Sequence, residues 1–486
     1  MSGVPVKPTL SPPTATLTRV PLDCGLSPAQ VLRILAEREP LPFALTGHWT
    51  HPPNPGHASG SGAIVGADPR HVADATEDPF AVLDALPSIN GGRDAVTAAT
   101  PTAHPSTPPG AVGGGWFGWL GYRLAARVER VPLNPHRPVA LPDFHLAYYD
   151  NVLRRTPDGQ WWFEALVTDA RRDALTRRQR RLAELLSGPA PPTPPPPHVS
   201  ELHLSAHDAE HHLDAVAQCR RRIAAGEIFQ ANLCLRLHGE TDARPTDLFA
   251  AALDQVDPPY GATFATPDGG IASLSPELFL RRRGRQIVTG PIKGTIARDP
   301  DPAVAAAALD TLRGSVKDAA EHVMIVDLMR NDLGRVCEYG TVVAPRHPTP
   351  EAHPGLWHLV SYVRGRLRPG VSDAEVLRAT FPPGSVTGAP KVQSLHVIAE
   401  LEGTGREVYT GAVGFASPVA GLELNVAIRT LELARGKVWL GAGGGIVADS
   451  DPRTELEEAL TKARPIAAAV GSTVKVQRRA LATRAA

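Results

Sequence analysis

The side chains that could take part in chemistry lie in short segments in the second half of the chain. Several of these segments also contain glycine, which gives the backbone conformational freedom. The first segment, Pro291-Ile-Lys293-Gly-Thr295, holds one of only seven lysines in the chain. It follows a predicted hairpin that turns at Arg283-Gly284, which brings Lys293 to the end of a sheet near Glu277. An amine beside a carboxylate is either a surface ion pair or, with partial burial, a nucleophile with a neighbouring general acid. The spacing alone favours the ion pair.

Two glycine-containing segments could hold an anion. Gly384-Ser-Val-Thr-Gly-Ala-Pro-Lys391 precedes a helical pattern, so its N–H groups would form an anion site at a helix start, although an ordinary helix start explains the pattern equally well. Gly441-Ala-Gly-Gly-Gly445 follows a predicted strand. It does not fit the dinucleotide-binding fingerprint because Ile446 replaces the last glycine. Its backbone can still approach a ligand closely, and a carboxylate is the obvious candidate.

Acidic side chains lie on two predicted helices. Glu455, Glu458 and Lys462 share one face of the helix predicted after residue 451, and Glu321 lies on a helix predicted over 315–333. The spacing alone favours ordinary solvated Glu/Lys pairs. If the two helices face each other, however, the three glutamates would form an all-oxygen site suited to Mg²⁺ rather than to zinc.

The elements that position these groups follow from the periodicity of apolar residues. Helical spacing over 208–225 leads into alternation over 229–237, which predicts a helix followed by a half-buried strand. Residues 422–433 are predicted to form one strand that pairs with 437–441 across a turn. Strand pairs joined by tight turns and mixed with long helices predict an α+β fold with largely antiparallel sheets.

A proline tract divides the chain. Of the 49 prolines, 30 lie in the first 200 residues, and the tract at 188–197 suits a polyproline-II spacer. We therefore predict a disordered N-terminus, an N-terminal subdomain, a Pro-rich linker, a main domain and a C-terminal tail, which span residues 1–18, 19–187, 188–200, 201–470 and 471–486.

Composition excludes several classes of partner. Fifty basic and fifty acidic residues leave no net charge to attract nucleic acid or an anionic membrane surface. The four cysteines show no CxxC spacing, which argues against a structural zinc site or a disulfide framework. No secretory leader and no run of 18 apolar residues occurs, so we predict a cytoplasmic protein with no membrane partner.

Taken together, the ordered motifs resemble those of the chorismate-utilising enzymes, a family that includes anthranilate, isochorismate, salicylate and aminodeoxychorismate synthases. The resemblance covers about residues 205–470 and rests on the segments 226–233, 273–277, 291–295, 320–332, 358–361, 384–391, 427–430 and 441–450. It implies a large single-core fold of antiparallel sheets flanked by helices, with an anthranilate-synthase-like N-terminal subdomain packed on the chorismate-binding domain. The resemblance also favours a nucleophile at Lys293 and metal ligands at the helix glutamates over the ordinary ion pairs that the spacing alone favours.

The resemblance assigns roles residue by residue. It implies that Glu321 and Glu458 hold a Mg²⁺ that grips the ring carboxylate of chorismate, and that Glu455 is either a third direct ligand or a residue that supports the ligands. The groups placed for the enolpyruvyl carboxylate and for lining the site are Arg429, Tyr409, the amides of Gly443, Gly444 and Gly445, and Thr387, Gly388 and Lys391. His358 and Glu277 resemble the acid and base groups, with Glu277 nearest the departing C4 hydroxyl.

Lys293 separates the members of this family. Anthranilate synthases carry alanine in the same motif, whereas the lysine version belongs to aminodeoxychorismate synthases, in which the amine attacks C2 while the C4 hydroxyl leaves and ammonia then adds at C4. An allylic hydroxide is a poor leaving group, so an amine and an acid divide one hard substitution into two easier ones.

Three hypotheses follow from the resemblance. The first is C4 amination of chorismate in 4-aminobenzoate and folate biosynthesis. Because no Gly-x-Cys-x-Gly motif occurs in the chain, the ammonia is expected from a separate glutamine amidotransferase subunit. The second is anthranilate-type or amino-deoxyisochorismate-type chemistry, which Lys293 argues against. The third is a catalytically silent subunit that activates a glutaminase, which the intact set of candidate catalytic residues argues against.

Overall fold

The computed structural model describes residues 14–50, 62–89, 109–192, 194–299, 301–353 and 356–477. The strands that precede the proline tract are β1 (Thr14–Leu22), β2 (Phe43–Gly47), β3 (Gly62–Gly66), β4 (His71–Val72), β5 (Ser88–Ile89), β6 (Gly115–Leu120), β7 (Phe144–Tyr149), β8 (Asn151–Arg155) and β9 (Trp161–Val167).

The strands that follow the tract are β10 (Leu202–Leu204), β11 (Gln230–Glu240), β12 (Tyr260–Thr266), β13 (Gly269–Ser275), β14 (Leu278–Arg283), β15 (Gln286–Gly290), β16 (Ile292–Ala297), β17 (Thr349–His353), β18 (Leu356–Val360), β19 (Val363–Arg366), β20 (Gly388–Ala389), β21 (Ala412–Ser417), β22 (Gly421–Val426), β23 (Thr430–Ala434), β24 (Lys437–Ile446) and β25 (Val474–Val476). The helices are α1 (Pro28–Arg38), α2 (Pro79–Asp84), α3 (Arg172–Leu186), α4 (Ala206–Ala224), α5 (Pro245–Val256), α6 (Pro302–Arg313), α7 (Val316–Gly334), α8 (Asp373–Thr380), α9 (Lys391–Leu401) and α10 (Pro452–Ala469).

Two large sheets and one small sheet organise these elements. The 14-stranded sheet runs in the order β25-β10-β11-β24-β23-β13-β12-β2-β3-β8-β9-β1-β5, with β20 paired to β11. The 8-stranded sheet runs β19-β15-β14-β22-β21-β6-β7-β4, and a 3-stranded sheet runs β16-β18-β17. Most neighbouring strands are antiparallel, so the predicted α+β fold with largely antiparallel sheets is confirmed.

An apolar core lies between the two large sheets and draws on both sides of the proline tract. Phe43 of β2 and Phe264 of β12 belong to the 14-stranded sheet, whereas Phe117 of β6 and Phe415 of β21 belong to the 8-stranded sheet. The Phe43 and Phe117 ring centroids lie 4.5 Å apart, and those of Phe117 and Phe415 lie 5.5 Å apart. Two antiparallel sheets thus bury their facing side chains in one shared core.

The N-terminal strands are hydrogen-bonded into both large sheets. β2 pairs with β12, and β6 pairs with β21, so each sheet crosses the proline tract. The tract therefore joins two parts of one architecture rather than two separate cores. Residues 14–18 lie in β1, which pairs with β9, so the predicted disorder is wrong for these residues, while residues 1–13 lie outside the described part of the chain.

Local predictions about individual elements are mostly confirmed. Helix α4, strand β11, the β14/β15 hairpin and helix α7 lie where periodicity and turn residues place them. The predicted single strand over 422–433 is wrong: β22 lies in the 8-stranded sheet and β23 in the 14-stranded sheet, and residues 427–429 cross between them. Among the described residues, no helix combines the length and apolar character needed to cross a membrane.

Candidate active site

The small sheet carries two of the predicted catalytic residues. Lys293 lies in β16 and His358 in the adjacent β18, where His358 pairs with Thr295. The Thr295 hydroxyl and Nδ1 of His358 share a hydrogen bond of 2.8 Å, which fixes the orientation of the buried imidazole. Nζ of Lys293 lies 3.7 Å from Oε2 of Glu321 on α7. The lysine therefore lies just past the end of the hairpin strand β15, in a further strand that faces α7.

Glu277 lies in the short link between β13 and β14, and its backbone N–H donates to Oγ of Ser275 over 3.2 Å. Burial raises the pKa of its carboxyl to about 7, although a hydrogen bond from Ser385, the Lys293 charge and the Ile292 backbone act in the opposite direction. The prediction that Lys293 and Glu277 share one site is thus supported by the structure. At neutral pH a large fraction of Glu277 carries the proton that a general acid donates.

The glycine strand β24 forms the wall opposite these groups. A Cβ atom added at Gly445 would collide with the Gln230 side-chain amide and would lie 3.1 Å from Nζ of Lys293. At Gly444 an added Cβ would lie 3.3 Å from Oε2 of Glu455 and 3.9 Å from Oε1 of Glu458. A side chain at Gly445 would therefore displace the Gln230 amide and crowd Lys293, and one at Gly444 would crowd Glu455 and contact Glu458.

The acidic helix residues converge on this strand from two sides. Glu455 is buried and accepts a 2.6 Å hydrogen bond from Ser450, and Glu458 lies 2.8 Å from Nζ of Lys462. Within the described part of the chain, Glu321, Glu455 and Glu458 do not bring three ligand atoms within 4.8 Å of one another. Their oxygen donors nevertheless fit a hard cation, because Mg²⁺ in proteins takes one or two carboxylates and completes its shell with substrate oxygens and water.

Arg429 is positioned by the crossing between the two large sheets. It has a positive φ of 51°, which is uncommon for a residue with a side chain and occurs where β22 ends and β23 has not begun. Burial lowers the pKa of its guanidinium to about 10, and the nearby Glu277 carboxylate opposes that shift. The crossing thus turns the Arg429 guanidinium inward, next to Glu277, where it can bind an anionic group of a substrate.

Tyr409 lies beneath the start of the glycine strand. A Cβ atom added at Gly441 would overlap its ring, and its hydroxyl lies 3.9 Å from Sγ of Cys234. Cys234 in turn lies against Gly443, since a Cβ added there would be 2.9 Å from its sulfur. Burial raises the pKa of the tyrosine, so it remains a neutral hydrogen-bonding group. Tyr409 and Gly443 therefore both lie next to the Cys234 sulfur.

The structure places Thr387 and Gly388 next to β11, and it gives Lys391 contacts away from the predicted substrate groups. Both Thr387 and Gly388 are buried beside β11, and the Thr387 hydroxyl donates to the Gly384 carbonyl over 3.1 Å. Nζ of Lys391 forms an ion pair with Asp332 and donates to the carbonyls of Thr380 and Pro382 over 2.8 and 3.1 Å. Because these contacts use its three donors, Lys391 holds the loop in place and leaves no N–H for substrate.

Sequence reasoning missed three residues of the site. The Gln230 side chain is buried against Gly445, and its amide has no hydrogen-bond partner among the described residues. Ser385 hydrogen-bonds to the Glu277 carboxylate. His322 shares a 2.6 Å hydrogen bond with Ser361, and burial lowers its pKa. The polar face of the alternating 229–237 strand was the available signal for Gln230, because that face is turned toward the site and not toward solvent.

The arrangement combines three chemical capacities. It holds an amine beside a carboxyl group that is partly protonated at neutral pH, it places a buried guanidinium next to the same carboxyl group, and it presents bare glycine backbone to a bound molecule. Such a site can bind a compact polyanion and exchange a hydroxyl group for a nitrogen nucleophile.

Comparisons with known proteins identify the family of the chain. A family model described as chorismate binding enzyme matches residues 55–468. The chain is 37% identical over 380 residues to "Anthranilate synthase component 1" of Streptomyces coelicolor, covering 75% of this chain and 74% of the relative. It is 35% identical over 353 residues to "Aminodeoxychorismate synthase component 1" of Salmonella typhimurium, covering 73% and 76%.

A solved structure shows the same architecture. The anthranilate synthase component I of Streptococcus pneumoniae superimposes with a TM-score of 0.70 at 26% sequence identity, covering 92% of this chain and 99% of the other. Similar identities to two kinds of synthase leave the reaction to be assigned from the side chains of the site.

Proposed function

The chain belongs to the family of chorismate binding enzymes, and we propose that it is an aminodeoxychorismate synthase that converts chorismate and ammonia to 4-amino-4-deoxychorismate. The observation that carries the proposal is the Lys293 amine, which lies beside Gly445 and faces Glu277. Lysine supplies a nucleophilic nitrogen at this position, whereas arginine stays protonated and the alanine of anthranilate synthases has no reactive group.

The proposed reaction has two displacements. The Lys293 ammonium first releases a proton to solvent. Its amine then forms a bond to C2 of chorismate, both ring double bonds shift, and the C4 hydroxyl leaves as water with the proton of Glu277. Ammonia then forms a bond to C4, the double bonds shift back, and the lysine nitrogen departs from C2 as a neutral amine. The new ammonium group at C4 gives one proton to Glu277, which returns to its acid form. The enolpyruvyl group is kept throughout, and Arg429 and the glycine backbone hold the anionic substrate.

We propose that Glu321, Glu455 and Glu458 hold Mg²⁺, which would neutralise and fix the ring carboxylate of the substrate. The carboxylates then act as a scaffold for substrate binding, while Lys293 and Glu277 carry the chemistry. His358, held by Thr295, is proposed as the remaining acid or base group of the site.

We also propose that a separate glutamine amidotransferase subunit supplies the ammonia and that the product enters 4-aminobenzoate and folate biosynthesis. Several relatives that the chain matches are named component 1, a designation that is consistent with a second component.

The test is to incubate the purified chain with chorismate, Mg²⁺ and ammonium, and then add an aminodeoxychorismate lyase. Formation of 4-aminobenzoate supports the proposal. Formation of anthranilate supports the alternative that the similarity to anthranilate synthase relatives favours. Consumption of no chorismate supports a silent subunit that activates a glutaminase.

The matched variant is Lys293→Ala. We expect it to lose 4-aminobenzoate formation by at least about a hundred-fold, because the covalent route is removed. An unchanged rate would refute the nucleophile role of Lys293 even if the wild-type product is confirmed.

A further inference from the structure

One buried arginine, outside the predicted site residues, joins three segments beside the candidate active site. Arg406 is 2% exposed and lies in the link between α9 and β21. Its Nη1 donates to the Val386 carbonyl over 2.8 Å and to the Thr410 hydroxyl over 3.4 Å. Its Nη2 donates to the Asn232 carbonyl. The guanidinium thus contacts strand β11, the segment 384–388 and the turn before β21.

A buried carboxylate fixes the guanidinium in this position. Glu402 accepts from Nε of Arg406 over 2.9 Å and from Nη2 over 2.7 Å, so the ion pair is bidentate. Oε1 of Glu402 also accepts from the Cys234 N–H over 2.7 Å. The five N–H donors of the arginine therefore all have acceptors. A lysine has three donors on one nitrogen and could not reach all of these acceptors.

The ion pair takes the place of a neighbouring strand along one edge of β11. Strand β20 pairs with β11 over only two residues, and the Asn232 N–H then donates to the Thr387 carbonyl over 2.6 Å. The next groups on this edge, the Asn232 carbonyl and the Cys234 N–H, bond to Arg406 and Glu402. Buried backbone groups need such partners. The ion pair therefore continues the hydrogen bonding of β11 beside the loop of Thr387.

The same loop carries the hydroxyl that holds the proposed acid. Ser385 hydrogen-bonds to the Glu277 carboxylate, and the carbonyl of the next residue accepts from Arg406. The charged groups that face Glu277 from other elements are Lys293 of β16 and Arg429 of the crossing between the sheets. A displacement of about 1 Å in an active site can cost roughly a hundred-fold in rate. The backbone contact of Arg406 is thus close enough in the chain to affect this hydroxyl.

We propose that Arg406 is a positioning residue of the active site, which holds the segment 384–388 against β11 and thereby keeps the Ser385 hydroxyl within reach of the Glu277 carboxylate. Glu402 keeps the guanidinium in place for this role. The inference rests on the proposed function, in which Glu277 donates a proton to the departing hydroxyl.

The test variant is Arg406→Lys, which keeps the positive charge beside Glu402 but loses acceptors on the neighbouring segments. The assay follows chorismate consumption with ammonium and Mg²⁺ and gives kcat/KM across pH. A weakened Ser385 hydrogen bond no longer stabilises the charged form of Glu277, so the alkaline limb should move upward by at least about half a unit. At the optimum, kcat/KM should fall by at least about ten-fold.

The double variant Arg406→Lys/Ser385→Ala separates positioning from a general loss of structure. If Arg406 acts through the Ser385 hydroxyl, its replacement should cost less than about two-fold in kcat/KM once that hydroxyl is absent, with no further shift of the limb. Multiplicative losses overturn the proposal. A limb that moves in Ser385→Ala but stays fixed in Arg406→Lys overturns it as well.

Arg154→Lys is the matched control, because Arg154 is also 2% exposed and its Nη1 lies 3.5 Å from Oε1 of the buried Glu164 in β9. It should lower the stability of the fold but change kcat/KM by less than about two-fold and leave the limb in place. If Arg406→Lys does not fold, Glu402→Gln replaces it, since the amide removes one acceptor of the guanidinium. The limb should then move in the same direction, and a fixed limb overturns the proposal.

Failure of the proposed function gives a different result. If the wild type forms anthranilate, or if the limb stays fixed in Ser385→Ala, the reaction or the role of Glu277 as the acid is wrong. The non-additive loss of kcat/KM for chorismate still decides whether Arg406 acts through Ser385. If the wild type consumes no chorismate, amide hydrogen exchange over 384–388 decides: it should rise at least about ten-fold in Arg406→Lys and not in Arg154→Lys, and equal exchange overturns the proposal.

Discussion

Removing the hydroxyl of Ser385 is expected to shift the pH dependence of the enzyme toward alkaline pH. The Ser385 hydrogen bond stabilises the charged form of Glu277, whose pKa burial raises to about 7. A hydrogen bond to a charged group contributes about 1.5–3 kcal/mol, and 1.36 kcal/mol corresponds to one pKa unit. Ser385→Ala should therefore raise the pKa of Glu277 by roughly one to two units.

The assay is the pH profile of kcat/KM for chorismate, which reports the ionisations of the free enzyme. If Glu277 acts as the acid, activity falls as pH rises through its pKa, so the alkaline limb should move upward by at least about one unit in Ser385→Ala. Ser417→Ala is the control, because it removes another buried hydroxyl, one that donates to the Val112 carbonyl and not to Glu277. It should leave the alkaline limb of the pH profile unchanged. A limb that stays fixed or moves toward acid pH in Ser385→Ala would refute the assignment of Glu277 as the acid.

Three further outcomes follow from the site. The pKa of Glu277 in the folded protein, about 7, exceeds the ordinary value of 4.5, so Glu277 lowers the stability of the fold as pH rises from about 5 to 8. Glu277→Gln should therefore raise the free energy of unfolding by roughly 3 kcal/mol more at pH 8 than at pH 5, as measured by urea denaturation. Equal increases at the two pH values would contradict the raised pKa. Gly445→Ala should lower kcat/KM at least about a hundred-fold while the control Gly188→Ala, which has open space around it, retains activity. Lys391→Met should destabilise the fold by about 3–5 kcal/mol in chemical denaturation by leaving Asp332 charged and buried, and addition of Asp332→Asn should restore part of that loss.

Elements with strong local signals could be predicted from the sequence. Helix α4 and strand β11 follow the periodicity of their apolar residues, and the β14/β15 hairpin follows its Arg283-Gly284 turn. These patterns depend only on neighbours a few residues apart, so no knowledge of the tertiary structure is needed to interpret them.

Features that depend on distant contacts could not be predicted in this way. Residues 422–433 show a continuous strand pattern, because both sheets bury apolar residues, and only the separation of the sheets explains the break at Arg429. The threonine-rich residues 14–18 have the composition of a disordered segment but pair with β5 and β9. Phe229 continues the apolar face of β11 in sequence but is 70% exposed, because the strand begins after it.

Some residues of the site can be identified from the sequence, and others only from the structure. The motif around Lys293 identifies a reactive amine without any structure, whereas the contacts of Lys391 with Asp332 depend on how α7 and α9 pack together. The role of Ser385 is likewise visible only once its loop is placed next to Glu277.

The interleaving of early and late strands in both large sheets has a consequence for how the protein reaches its native state. Ser417 donates a hydrogen bond to the carbonyl of Val112, 305 residues earlier in the chain. Strands β21 and β22 lie within the 8-stranded sheet, and β23 and β24 lie within the 14-stranded sheet. Strand β6 pairs with β7, which follows it closely, and with β21, which the ribosome makes only roughly 15–60 s later at about 5–20 residues per second. During this interval strand edges stay open to aggregation, so chaperone supply and translation rate will govern the yield of folded protein.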